Sequence, residues 1–121
     1  MRITEMSYPD SRPVEGYGPG FFRIGGEVVE GPLLVGPAGR SDWAGLEDAG
    51  PLRALAGAVD VLFLGTGAEI AHPPRALVQE LEAAGIGVET MASPTACRAY
   101  NVTLSEGRRV ALAALPVAAV R

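Results

Sequence analysis

The stretch that most constrains this chain is Val59-Asp60-Val61-Leu62-Phe63-Leu64, closed by Gly65-Thr66-Gly67. A strand buried on one face alternates apolar and polar side chains, but this run is almost continuously apolar, the composition of a strand covered on both faces. Helical patterns flank it. Pro51 suits a first helical turn, Leu52, Leu55 and Ala56 follow at helical spacing, and Gly57 ends that short helix. From Pro74 to Ala84, the side chains of Leu77, Val78, Leu81 and Ala84 make one apolar stripe, and Gly85 fits the left-handed position that stops a helix. Ile86 to Met91 reads as the next strand. Ser93-Pro94 reads as a cap followed by proline at the first helical position, with Ala96, Tyr100 and Leu104 on one face of the helix and Gly107 at its end. Arg109 to Leu115 is then a last buried strand.

The first third is β-structure punctuated by glycine. Gly25-Gly26 between Phe21-Phe22-Arg23-Ile24 and Glu27-Val28-Val29-Glu30 predicts a hairpin, because a two-residue primed turn needs positive φ. Gly31-Pro32 bends the chain before the short strand Leu33-Leu34-Val35, and Gly36-Pro37-Ala38-Gly39 reads as a loop ahead of Trp43. Ile3 to Tyr8 reads as a further edge strand. Two helix-linked strand pairs in succession imply a layered α/β core with the hairpin as an additional β-layer, the first pair being parallel and right-handed. With 121 residues, no internal repeat and no linker, residues 1–121 are expected to form a single domain.

Composition removes several function classes. All ten positive charges are Arg, and there is one His and one Cys. Schiff-base catalysis by lysine, a phosphate-binding loop with its lysine, and a Cys/His zinc cage within one chain are thereby excluded. The net charge of −4 opposes binding to nucleic acid, which requires clustered cations. Hydrophobic residues make up 48% and charged residues 20%, the range of a folded domain with a real core. Residues 1–20 carry no basic start followed by an apolar stretch, and the apolar run Val110 to Val120 is short of the roughly 20 residues that cross a bilayer. A cytoplasmic location with no membrane span is the expectation.

Several strings occur in order: Tyr17-Gly18-Pro19-Gly20-Phe21-Phe22-Arg23-Ile24-Gly25-Gly26, Glu30-Gly31, Trp43, Leu64-Gly65-Thr66-Gly67, Gly85-Ile86-Gly87-Val88-Glu89-Thr90-Met91, and Ala96-Cys97-Arg98-Ala99-Tyr100-Asn101 through Glu106-Gly107-Arg108-Arg109-Val110. Together they resemble the Mth938-like domain family of unknown function over nearly the whole chain. The resemblance implies a three-layer α/β fold, with a central mixed sheet flanked by helices and an additional β-layer. It implies no reaction and no cofactor; family members assist assembly of respiratory complex I or act by contact with partners. The chain departs from the usual family pattern at Ala99, where a Thr often precedes the Tyr-Asn pair.

Two candidate sites follow. Carboxyl ends of parallel strands are where open α/β sheets bind ligands, so Gly65, Thr66, Gly67, Ser93, Thr95 and Arg98, with Asn101 further along the helix, are candidates for holding a small anion. The competing reading is a plain tight turn, with Ser93 as a simple cap and Arg98 in water. Cys97 lies where a helix dipole favours a thiolate, but a small packed cysteine is the commoner case, and His72 would have to be close to serve as its base. No residue is assigned a catalytic role and none a metal. The second candidate is a protein-partner surface on the hairpin, with Phe21, Phe22, Val28 and also Trp43. A non-enzymatic interaction or assembly factor is the leading reading; the alternative is a small-anion or nucleotide-like ligand-binding domain, an enzyme or not, that uses the strand-end crevice.

Overall fold

A computed structural model describes residues 11–118. The expected edge strand at Ile3 to Tyr8 lies outside them. Strands β1 (Val14–Gly18), β2 (Phe21–Ile24) and β3 (Glu27–Glu30) form an antiparallel sheet in that order. The β2–β3 turn is the expected one, with φ of +59° at Gly25 and +79° at Gly26, the dihedrals that a primed two-residue turn demands. β1 goes beyond the expected hairpin and makes the layer three-stranded.

Strands β4 (Leu33–Gly36), β5 (Gly39–Ser41), β6 (Val61–Thr66), β7 (Gly87–Met91) and β8 (Val110–Leu115) form a mixed sheet of order β5-β4-β8-β6-β7. β6 is parallel to both β7 and β8, and β4 is antiparallel to β8. Helices α1 (Gly50–Arg53), α2 (Arg75–Ala83) and α3 (Ser93–Ser105) connect them. Several boundaries differ from expectation: β6 begins at Val61 instead of Val59, and α1 ends at Arg53, short of Gly57. The stretch around Gly36 to Gly39 is a tight hairpin turn that pairs Gly36 with Gly39 and starts β5, instead of a loop. Gly65-Thr66 belongs to β6, because its backbone is held by Met91 on one side and by Ala114 and Leu115 on the other.

Alternation along each strand sorts the core into two layers, one on each face of the five-stranded sheet. Leu62 and Leu64 of β6, Ala111 and Ala113 of β8 and Leu34 of β4 pack with Leu52 of α1 and with Leu77 and Leu81 of α2. Phe63, Val110, Leu112, Ala114, Leu33 and Val35 point the other way, onto Ala96, Cys97 and Tyr100 of α3 and onto Val14, Phe22 and Ile24 of the small sheet. Fully buried leucines such as Leu81 make this strong packing; truncating one to alanine typically costs about 2–5 kcal/mol.

Candidate functional site

After β6 the chain turns into α2 on one face of the sheet; after β7 it turns into α3 on the other. The carboxyl ends of β6 and β7 are therefore the crevice where a parallel sheet ordinarily admits a ligand. Ser93 occupies it. Its backbone N–H donates to the Gly67 carbonyl at 2.7 Å, and its Oγ accepts the Gly67 N–H at 2.8 Å and donates to the Leu115 carbonyl. The side chain is wholly buried and joins the ends of β6 and β8. Gly65 makes room for it: a Cβ there would stand 2.7 Å from Ser93 Oγ and 2.8 Å from its Cα. Gly67, at φ +106°, completes a turn that other residues rarely adopt.

Ser93 is thus no N-cap. The cap position of α3 is Ala92 and no side chain bonds to the first turn, because the serine hydroxyl is committed to strand ends distant in sequence. Thr66 is committed likewise: its Oγ1 accepts the Ala71 N–H at 2.9 Å and donates to the Glu69 carbonyl at 2.9 Å, in preference to the Met91 carbonyl at 3.4 Å.

The other candidates part company with this knot. Thr95 and Arg98 are exposed on α3, with Arg98 Nη2 donating to Thr95 Oγ1 at 3.4 Å. Asn101 grips β1: its Oδ1 accepts the Val14 N–H at 2.8 Å and its Nδ2 donates to the Val14 carbonyl at 2.9 Å. Beside it the Tyr100 hydroxyl donates to the Arg12 carbonyl at 2.8 Å, and burial pushes its pKa up. Cys97 is buried in the α3 layer, where desolvation raises the thiol to about 11 against a smaller opposing influence of Arg98. His72 is exposed in the loop before α2, on the other side of the sheet, so the two do not form a nucleophile–base pair. Among the described residues no three His, Cys, Asp or Glu side chains converge as a metal site.

On the small sheet, pairing places Phe21 and Glu30 opposite each other, then Arg23 and Val28, on the face turned away from the core. Val28 is 51% exposed. The Phe21 ring lies over Gly18, where a Cβ would come within 2.5 Å of it. Phe22 and Trp43 are turned inward, at 1% and 5% exposure, and Trp43 Nε1 donates to the Asp48 carbonyl at 3.1 Å. β3 has β2 as its one neighbour among the described residues.

Sequence reasoning did not point to the concavity on the α2 side. A groove of about 410 Å³ is lined by Ile70, Ala71, His72, Pro73, Arg75, Val78 and Thr90, beside the knot on the α2 side. Its signal in the sequence was Ile70, a large apolar residue in a loop of small residues and prolines that nothing local requires to be buried.

With this geometry in hand, comparison with known proteins is specific. The family described as "Protein of unknown function (DUF498/DUF598)" matches residues 14–115. An uncharacterized protein of Rhodobacter capsulatus is 51% identical across 97% of this chain and 94% of its own length. The NADH dehydrogenase (ubiquinone) 1 alpha subcomplex assembly factor 3 of Danio rerio is 34% identical across 83% of this chain, which spans 62% of that protein. Among solved structures, a protein named as an outer membrane protein of Bartonella henselae superposes with a TM-score of 0.82 at 31% identity, covering 90% of this chain and 98% of the other. A Mth938-like domain of Bordetella pertussis gives 0.75 at 26% identity, covering 98% and 91%.

Proposed function

We propose, given that this chain belongs to the DUF498/DUF598 family, that it is a protein-interaction domain serving the assembly of a larger complex and that it acts by docking rather than by chemistry. The similarity to an assembly factor over 83% of the chain carries this reading. The outer face of β2 and β3 is the docking face in this proposal. What supports it there is the mixture of Phe21 and Val28 with the oppositely charged Arg23 and Glu30, on a sheet whose outer strand has no further neighbour among the described residues. Apolar anchors ringed by charge are how modest protein interfaces are built. The strand-end crevice is a weaker candidate for an anion, because its donors at Gly67 and Ser93 are engaged within the chain.

A cytoplasmic setting remains part of the same proposal. No helix among the described residues is long and apolar enough to cross a membrane. Photo-crosslinking from position 28 in cells of the source organism tests the docking face. A partner is expected that disappears with Val28→Asp and Arg23→Glu; recovery of the same partner by both variants sinks the assignment to this face. Fractionation of the same cells tests the compartment.

A further inference from the structure

The groove beside α2 has a chemistry of its own. Its walls are Ile70, Ala71, Pro73 and Val78, its volume of about 410 Å³ falls in the range of roughly 300–1,000 Å³ usual for small-ligand sites, and Thr90 at the end of β7 closes one side. Ile70, 66% exposed, is the least covered of the large apolar side chains described.

The one charged side chain lining the groove is a cation. Arg75 lines it and, among the described residues, makes no ion pair or hydrogen bond, whereas Arg40, Arg53 and Arg109 each hold a carboxylate. His72 lines it too and has no partner among the described residues. No carboxylate lines the groove, although the chain carries a net charge of −4. Arg75 is also the first residue of α2, and no side chain caps that helix, so its positive dipole end adds to the guanidinium. The helix end is an accessory here; the apolar cavity and the uncompensated guanidinium define the complement.

We infer that this groove binds a small apolar monocarboxylate, its hydrocarbon body against Ile70, Ala71 and Val78 and its carboxylate on Arg75, with the His72 imidazole and the Thr90 hydroxyl at the rim. Planar guanidinium and carboxylate pair through two parallel hydrogen bonds, which makes Arg75 the selective element and the apolar wall the affinity element. The groove is on the opposite side of the five-stranded sheet from β2 and β3, so this site and the docking face stand or fall separately.

Amide shift mapping on the full chain, with octanoate, octanol and acetate as probes, tests it. Octanoate should move the amides of Ile70, Ala71, Val78 and Thr90 saturably, and octanol and acetate should bind at least about tenfold more weakly. Arg75→Gln should abolish the preference of octanoate over octanol, and Ile70→Ser should weaken both; each residue is exposed and neither change threatens the core. The inference is overturned by the absence of saturable shifts at these amides, by equal binding of octanoate and octanol to the wild type, or by an undiminished preference in Arg75→Gln. An acetylated peptide ending in leucine that binds these amides more tightly than octanoate would overturn it as well, by assigning the groove to a protein C-terminus.

Discussion

Ser93 and Gly67 are hydrogen-bonded in both directions: the serine N–H donates to the glycine carbonyl at 2.7 Å and the glycine N–H donates to the serine Oγ at 2.8 Å. Ser93→Ala deletes one of these bonds and strands the buried Gly67 N–H and the part-buried Leu115 carbonyl. A loss of about 1–3 kcal/mol is expected for buried groups left unsatisfied, read as a lower urea midpoint at unchanged slope.

Gly65→Ala should be at least as damaging. Its Cβ would stand 2.8 Å from the Ser93 Cα, a backbone atom that no rotamer change removes. Overpacking of this kind costs about 1–3 kcal/mol. Combining it with Ser93→Ala should bring no rescue, since the Cα remains; a double variant as stable as Ser93→Ala alone would contradict the clash.

Asn101 pairs an acceptor and a donor with the two backbone groups of Val14. Asn101→Asp keeps the acceptor but turns a carboxylate oxygen toward the Val14 carbonyl, so the folded form favours the protonated acid. A raised folded-state pKa means stability that is full below the unfolded value of about 3.9 and lost as pH rises through the folded value. Denaturation of the variant at pH 3.5 and at pH 7 should therefore show a smaller deficit against wild type at the lower pH, and faster amide exchange at Val14 at the higher.

The Cys97 thiol, raised by burial from 9.0 to about 11, should carry roughly a hundredfold less thiolate at neutral pH than an exposed one. A disulfide reagent at pH 7.5 should leave it nearly untouched in the folded protein and react promptly in urea. Rapid reaction without denaturant would mean that α3 opens readily.

Asp60 is exposed, and its carboxyl is held below the ordinary value chiefly by its hydrogen bonds with Arg109, at 2.7 and 3.3 Å. A lowered folded-state pKa contributes stability above the unfolded value that disappears as pH falls through the folded one. Arg109→Gln should move the Asp60 midpoint upward toward about 3.9 in an NMR titration. An unmoved midpoint would exclude the guanidinium as the cause.

The parts of this fold that were legible in the chain are those whose causes are local. Gly25-Gly26 specifies its turn through two positive φ values, and the stripe of Leu77 and Leu81 specifies the buried side of α2. β5, only Gly-Arg-Ser, and β1, with Gly16 and Gly18 diluting its strand character, carry too little propensity to be read; pairing with β4 and β2 makes them strands. The candidate site divides in the same way. Gly65, Thr66, Gly67 and Ser93 do meet, yet Ser93 looked like a cap because its position before Pro94 is a local signal, while the bonds that engage its hydroxyl reach 26 and 22 residues back and forward.

By itself, the sequence determined that this protein is a layered α/β domain with a continuously apolar central strand, because hydrophobic periodicity and glycine φ preferences act within a few residues. Tertiary structure alone decided which polar groups remained available. Asn101 and Val14 are 87 residues apart, and only the packing of α3 on β1 turns that amide into a clamp. Only the same three-dimensional arrangement leaves Arg75 without a carboxylate beside an apolar groove, since a charge finds its partner through space and not along the chain.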